Sequence, residues 1–171
     1  MDIRPVSGDY PVYYANYINL VDEGPLTGIL FKQLEETTAL ISNVSKKQGD
    51  YRYAIGKWTL KEVIGHITDT ERIMAYRLLR FARGDQTALA GYEDERYVKE
   101  AEFHSRSLKN LLEEFSAVRH STISLIKNLP EDSSAKKGIA NNGEISVAAL
   151  AYIIAGHELH HRKMIEEKYL I

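Results

Sequence analysis

Three of the 6 histidines in the chain lie close together near its end, in the stretch AGHELHHRKMI at positions 155–165. His157 and His161 are four residues apart, so in a helix their rings lie on one face, one turn apart. His160 lies to the side of that face. The spacing also matches H-E-x-x-H, in which two histidines bind zinc and the glutamate, here Glu158, acts as the general base of a metalloprotease. The stretch therefore indicates metal chemistry and leaves open which kind of site is built.

A zinc protease with this motif takes its third ligand from a later part of the chain. Only RKMIEEKYLI follows His161, and it contains no glycine turn and no room for another helix. Glu166 and Glu167 are too close along the same helix to fold back onto it. Because zinc binds at least three protein ligands, a third ligand has to come from upstream. The H-E-x-x-H match is therefore interpreted as accidental.

Three upstream histidines are available as the third ligand. His120 lies off the apolar stripe of its predicted helix, and His104 lies in a connection, where a loop or capping role is expected. His66 lies at the apolar boundary of a predicted helix, so it can face a histidine pair on another helix across the core of a bundle. Residue type and spacing thus predict a site made of His66, His157 and His161.

The histidine pair lies on a seam of the last predicted helix that is otherwise apolar. The seam consists of Val147, Leu150, Ile154, His157, His161 and Met164. A buried ring nitrogen without a partner costs about 1–3 kcal/mol, and one divalent ion would satisfy both rings. The alternative is that both are ordinary buried or half-buried histidines with hydrogen-bond partners.

Four amphipathic helices are predicted to carry these histidines. Apolar spacing predicts the first over 26–44. A capping-box pattern at Thr59 begins the second, which stops at Gly84. Ser105 or Ser107 can cap the third, and the fourth begins after an Asn-Gly signal for a small hairpin. The predicted fold class is all-α, a four-helix bundle. It forms a single domain over 1–171, with an extended N-terminal segment at 1–24 and the small hairpin before the last helix.

Composition excludes several classes of function. The 171 residues suit one domain, and the absence of cysteine excludes disulfides and thiolate metal sites. A formal net charge of -2 provides no basic field for nucleic acid. Neither an apolar signal core nor an apolar run of membrane-spanning length is present. We therefore expect a cytoplasmic, soluble protein that binds neither nucleic acid nor membrane.

The stretch YRYAIGKWTLKEVIGHITDTERIMAYRLLRFARGD resembles the beginning of the DinB-like (YfiT-like) family of four-helix bundles. The resemblance continues through LAGYEDERYV, RSLKNLLEEFSAVR and ISVAALAYIIAGHELHHRKMI, and covers 25–168. It rests on the motif W-[ST]-x-x-E-V-x-x-H-x-x-D together with a terminal G-H-x-x-x-H. The resemblance implies a divalent metal held by one histidine of the second helix, matching His66, and two of the last, matching His157 and His161. The resemblance also implies a homodimer that acts on a small molecule. Some members of the family use a low-molecular-weight bacterial thiol as cosubstrate, and others are described as hydrolases.

Three neutral imidazoles leave the full charge on the metal and leave positions for water and substrate. Such a charge lowers the pKa of bound water or of a thiol, so hydrolysis and thiol S-transfer are the two predicted reactions. Zinc is the first choice of metal, and nickel, cobalt or manganese also accept histidine ligands. The alternatives are a non-catalytic metal-binding or stress-response protein on the same scaffold and a helical interaction module.

Two acidic residues are the predicted catalytic groups beside the metal. Asp69, one turn after His66, can orient a ligand or a substrate, or it is an exposed helix charge. Glu158, next to His157, can act as a general base, or it occupies a solvated flank position.

Arginines recur at helical spacing in the second predicted helix, at Arg72, Arg77, Arg80 and Arg83. They are expected to form salt bridges with nearby acidic residues. The alternative is that Arg77 or Arg80 receives an anionic cosubstrate, because guanidinium groups match carboxylates.

Overall fold

A computed structural model describes residues 4–170, which are mostly helical. The α-helices are α1 (Ala15–Ile18), α2 (Leu26–Ser42), α3 (Lys46–Gly49), α4 (Leu60–Ala82), α5 (Asp94–Glu100), α6 (Leu108–Lys127) and α7 (Val147–Lys168). Short 3₁₀ helices occupy Val12–Tyr14, Phe103–Ser105 and Glu131–Ala135, and the two strands are β1 (Lys137–Ala140) and β2 (Gly143–Ser146).

The four long helices α2, α4, α6 and α7 form the predicted four-helix bundle. α4 packs against both α6 and α7, and α2 packs against the same two helices, so α2 and α4 stand diagonally across the bundle. Apolar side chains fill two clusters, one that contains Leu78 and Phe81 and another that contains Val63 and Ile64. Within the described part of the chain, none of the helices is both long enough and apolar enough to span a bilayer.

The helix starts follow the signals in the sequence. The Thr59 hydroxyl accepts a hydrogen bond from the Glu62 backbone N–H at 3.2 Å, and the Glu62 carboxylate accepts one from the Thr59 N–H at 2.7 Å. Both halves of the predicted capping box are therefore present at the start of α4. Ser107 caps α6 and Ser146 caps α7, each through a hydrogen bond from the N–H three residues later. Of the two serines considered for the third bundle helix, Ser107 is the cap.

The predicted hairpin before the last bundle helix is confirmed, although its turn differs from the Asn-Gly turn expected. Asn141 and Asn142 have positive φ values of 49° and 62°. Gly143 is already in β2, where it pairs with Ala140. Two central residues with positive φ are typical of a type I′ turn, and asparagine tolerates this conformation better than most residues.

The N-terminal segment is only partly extended, because it contains a 3₁₀ turn at Val12–Tyr14 and the short helix α1, which packs on α7. The Tyr17 ring centre lies 5.4 Å from the ring centre of His157. The tyrosine-rich stretch therefore covers the histidine-bearing part of α7. Helical pieces of three or four residues are too short to show a hydrophobic period, so sequence spacing did not predict them.

Gly156 allows this close approach of α1 to α7. A Cβ at this position would lie 2.0 Å from the carbonyl oxygen of Tyr17, a backbone atom that cannot rotate away.

We expect Gly156→Ala to lower the free energy of unfolding by about 1–3 kcal/mol, measured by urea denaturation. Gly28→Ala is the matched control. No atom lies within 4 Å of its added Cβ, and alanine has the higher helix propensity by about 1 kcal/mol. Equal stability of the two variants would contradict this packing.

Candidate metal centre

The rings of His66 on α4 and of His157 and His161 on α7 meet between these two helices. Nε2 of His157 lies 3.1 Å from Nε2 of His66 and 3.1 Å from Nε2 of His161. One ring nitrogen from each residue lies within 4.8 Å of the other two. All three residues are buried, with 5%, 7% and 7% of their surface exposed. The folded chain thus brings together the three histidines selected from the sequence, which stand on two different helices.

Hydrogen bonding alone is a poor explanation of this arrangement. A neutral ring nitrogen carries either one proton or one lone pair, so Nε2 of His157 can form only one well-directed hydrogen bond with its two close neighbours. Two nitrogens bound to a tetrahedral metal at the usual bond length are roughly 3.3 Å apart, close to the observed 3.1 Å separations. The donor set therefore fits a divalent cation.

Burial keeps the three imidazoles in the neutral form that binds a metal. It lowers the pKa of His161 to about 3, and the neighbouring histidines act in the same direction. Burial also lowers the pKa of His157 well below its ordinary value, with a further contribution from the surrounding histidines. The pKa of His66 is likewise lowered by burial, against the opposing charges of Asp94 and Glu95.

The metal-free protein is expected to lose stability as the solution becomes acidic. An unfolded histidine has a pKa of about 6.5, so between this value and the lower folded-state pKa the unfolded chain binds more protons. The stability that comes from keeping the His161 ring neutral is fully present above about pH 6.5. It declines as the pH falls toward the folded-state pKa of His161, about 3. Between about pH 7 and pH 5, His161 alone should account for about 2 kcal/mol of the free energy of unfolding.

Urea denaturation of chelator-treated protein at the two pH values measures this loss. His161→Gln should reduce the pH dependence, whereas His120→Gln, at an exposed position, should leave it unchanged. A His161→Gln variant with the full wild-type pH dependence would contradict the burial of a neutral ring at this position.

Aromatic and acidic side chains surround the three rings. The Trp58 ring centre lies 4.6 Å from that of His66, and Trp58 Nε1 donates a hydrogen bond to Glu95 at 3.0 Å. Asp94 Oδ1 lies 3.8 Å from Nδ1 of His66, beyond hydrogen-bond length but on the side of the ring that faces away from the cluster. Nδ1 of His161 is buried and has no hydrogen-bond partner among the described residues.

A cavity of about 240 Å³ opens onto His66 and His157. Its lining residues include Tyr14, Tyr92 and Arg77. Burial raises the pKa of both phenols, so at neutral pH they are uncharged and can donate hydrogen bonds. This cavity combines a potential metal site with polar groups, the usual composition of a small-molecule site.

A second cavity, of about 200 Å³, reaches the cluster at His161. Its wall includes the aromatic side chains of Tyr53, Trp58 and Tyr169. The two cavities share no lining residue. The histidine cluster can therefore be approached from two places.

Asp69 and Glu158, the predicted catalytic residues, line neither cavity. Asp69 forms an ion pair with Arg72 at 3.1 Å. Glu158 is fully buried and accepts a hydrogen bond from Thr37 of α2, so the expected solvated flank position is wrong. Burial raises the pKa of the Glu158 carboxyl. The side chains of consecutive helix residues point about 100° apart. Glu158 directly follows His157, so its side chain points toward a different helix.

Sequence reasoning assigned no role to Asp94, the acid that faces His66. It lies between the second and third predicted helices, and helical spacing cannot place a segment between helices relative to a site. Among the arginines at positions 72, 77, 80 and 83, Arg72 and Arg80 form the expected ion pairs, Arg80 with Asp85. Arg77 and Arg83 form none with any described residue.

Comparison with known proteins agrees with the fold. Residues 30–165 match the DinB superfamily. A protein of Oceanobacillus iheyensis named "Putative metal-dependent hydrolase" is 26% identical over an alignment of 148 residues, and the match covers 81% of this chain and 86% of the relative. YfiT from Bacillus subtilis, described as a probable metal-dependent hydrolase with an unusual four-helix bundle topology, superposes with a TM-score of 0.76 at 14% identity, over 97% of this chain and 91% of YfiT. The mycothiol-dependent maleylpyruvate isomerase superposes with a TM-score of 0.67 at 12% identity, over 85% of this chain and 61% of the isomerase.

Proposed function

Because the chain belongs to the DinB superfamily, we propose that it is a divalent-metal-dependent hydrolase that acts on a small molecule. The observation that supports this most is the convergence of three neutral ring nitrogens, from His66, His157 and His161, beside a polar cavity. Three histidine ligands leave coordination positions for water and substrate, as in catalytic zinc sites. The name of the Oceanobacillus relative supports the same reaction class.

The residues around the cluster have distinct roles in this proposal. When bound, a divalent cation supplies Lewis-acid activation of water and polarises the group to be cleaved. Asp94 orients the His66 ring from its Nδ1 side. The rings of Trp58 and Tyr17 cover His66 and His157 and restrict access to the cavities. The Tyr92 phenol, kept protonated by burial, donates a hydrogen bond to a substrate oxygen.

Zinc is the proposed metal, because it suits neutral nitrogen ligands and accepts four-coordinate sites that hold water in the fourth position. Nickel, cobalt and manganese also accept imidazole, so metal identity is part of the test.

Thiol S-transfer is the second candidate, and the second cavity supports it. His161 forms part of a separate aromatic-lined space, so two reactants can reach the cluster from different places. A divalent cation held by the three histidines would lower the pKa of a thiol bound to it, so that the thiol would release its proton to solvent and act as a nucleophilic thiolate. The fold is shared with an isomerase that is mycothiol-dependent by name, although likeness at 12% identity shows the fold alone.

The test uses untagged protein that has been stripped with a chelator and reloaded separately with zinc, nickel, cobalt or manganese. Ester, amide and phosphoester panels are screened for hydrolysis, and monochlorobimane with bacterial thiols is screened for conjugation, both by mass spectrometry. We expect metal-dependent hydrolysis that is lost in the double variant His157→Ala, His161→Ala and retained in His104→Ala. Conjugates without hydrolysis would favour the transferase. Bound metal with neither reaction would support the non-catalytic metal-binding alternative.

Two further parts of the proposal are a cytoplasmic location and a homodimeric assembly. They are expected from the composition and from the family resemblance. Cell fractionation and analytical ultracentrifugation check them, and a monomer at every concentration would contradict the assembly.

A further inference from the structure

Arg77 is a buried cation in the wall of the first cavity, and it has no ion-pair partner in the part of the chain that the structure describes. The residue is 3% exposed. Its NH2 group donates a hydrogen bond to the carbonyl oxygen of Ala90 at 2.9 Å, and its NH1 group lies 3.7 Å from the sulfur of Met74. Neither partner is charged. Buried charges in proteins are normally paired, and the described residues supply no acidic partner for this guanidinium.

The other arginines of α4 show that carboxylates are within reach of this helix. Arg72 and Arg80 both form ion pairs with acids of the chain. Asp94 lines the same cavity as Arg77, yet it lies beside His66 and forms no ion pair with the guanidinium. Arg77 therefore lines the cavity without an acidic side chain of the described residues as its partner.

One face of α4 connects the histidine cluster with Arg77. His66, Thr70, Met74 and Arg77 follow one another at spacings of three or four and all line the cavity. Eleven residues of helix span about 16 Å, and a long helical side chain leans toward the N-terminus, which here is toward His66. A ligand in the cavity can therefore contact the guanidinium with one end while its other end faces the histidines.

The surroundings of the guanidinium favour a carboxylate. The Tyr92 ring centre lies 5.8 Å from Cζ of Arg77, and its hydroxyl lies 3.0 Å from that of Thr70. Tyr14 lines the same cavity. Guanidinium and neutral hydroxyl groups are donors, and the planar guanidinium matches the two oxygens of a carboxylate.

We propose that Arg77, assisted by the hydroxyls of Tyr14 and Tyr92, binds a carboxylate group of the substrate, so that the substrate is a small carboxylic acid. The assignment of this ligand as the substrate rests on the proposed function. Asp94 places a negative charge near the histidine end of the cavity. The substrate is therefore oriented with its carboxylate toward Arg77 and its reacting group toward the histidines.

Binding is tested by NMR with the full-length protein, before and after removal of metal with a chelator. Acetate, succinate and glutarate are titrated against the matched amides acetamide, succinamide and glutaramide, with inorganic phosphate as a further anion. We expect a saturable shift of the Arg77 Nε–H signal with at least one acid and none with its amide. Ligand-observed NMR should show affinity about 10- to 100-fold weaker in Arg77→Met and unchanged in Arg80→Met, the matched control.

The absence of a response to every acid, or an equal response to the amides, would overturn the proposal. So would a response to phosphate alone or unchanged affinity in Arg77→Met. We expect this variant to fold and to lose only the stability that the hydrogen bond to the Ala90 carbonyl oxygen contributes, because no ion pair is lost. Arg77→Lys, which keeps the charge without the planar group, should bind with intermediate affinity.

Metal analysis of the same samples separates this proposal from the proposed function. Bound metal without carboxylate binding overturns the role of Arg77 alone. Carboxylate binding by a protein that takes up no metal overturns the metal-dependent function and leaves the carboxylate site standing.

Discussion

Replacing His157 with alanine is expected to reduce divalent metal content from about one equivalent per chain to nearly none. Nε2 of His157 is the atom shared by both 3.1 Å contacts in the cluster. Without it, His66 and His161 remain as two ligands, and a zinc site needs at least three from the protein. Removing a residue that only hydrogen-bonds a metal ligand lowers metal affinity by up to roughly 100-fold. The loss of affinity when the ligand itself is removed should be larger. Competition with a chromogenic chelator and elemental analysis measure it.

His160→Ala is the matched control for this prediction. His160 is exposed on the same helix, and its ring centre lies 5.0 Å from that of His161, but it is not part of the three-histidine cluster. The control variant should bind metal as the wild type does, and circular dichroism should show both variants to be helical. Wild-type metal affinity in His157→Ala, or loss of metal only in His160→Ala, would overturn the assignment of the ligands.

Arg119→Met is expected to lower the free energy of unfolding by about 3–5 kcal/mol. Arg119 on α6 and Glu71 on α4 form an ion pair of 2.8 Å with side chains 0% and 2% exposed. Arg119 NH1 also donates hydrogen bonds to the Leu30 carbonyl oxygen and to the Gln33 side chain of α2. Removing the guanidinium leaves a carboxylate buried without its partner, which is far more costly than the loss of one attraction.

Urea denaturation of three further variants separates this effect from a general loss of arginine. Arg72→Met removes the ion pairs with Asp69 and Glu114, in which the arginine side chain is 45% exposed, and it should cost less than about 1 kcal/mol. The double variant Arg119→Met, Glu71→Gln should lose less stability than the two single variants added together, because it removes both charges of the pair. Additive losses, or equal stability of Arg119→Met and Arg72→Met, would contradict the proposed role of the buried pair.

Local signals in the sequence predicted the bundle helices, because each signal joins residues only a few positions apart. The capping box at the start of α4 uses two residues three positions apart. The hairpin signal is also local, although its turn residues are Asn141 and Asn142 and not the Asn-Gly pair. The short helix α1 was not predicted because its four residues complete barely one helical turn and cannot show a repeating hydrophobic period.

The sequence by itself determined the three histidines of the candidate site. The spacing of His157 and His161 placed both rings on one helix face, and the position of His66 at an apolar boundary turned its ring inward. The tertiary structure alone decided the rest of the site: Asp94 beside His66, Arg77 without an acidic partner among the described residues, and Glu158 against α2. The physical reason is that spacing sets the direction of a side chain around its own helix axis. The packing of the other helices and connections, which depends on contacts distant in sequence, sets what that side chain meets.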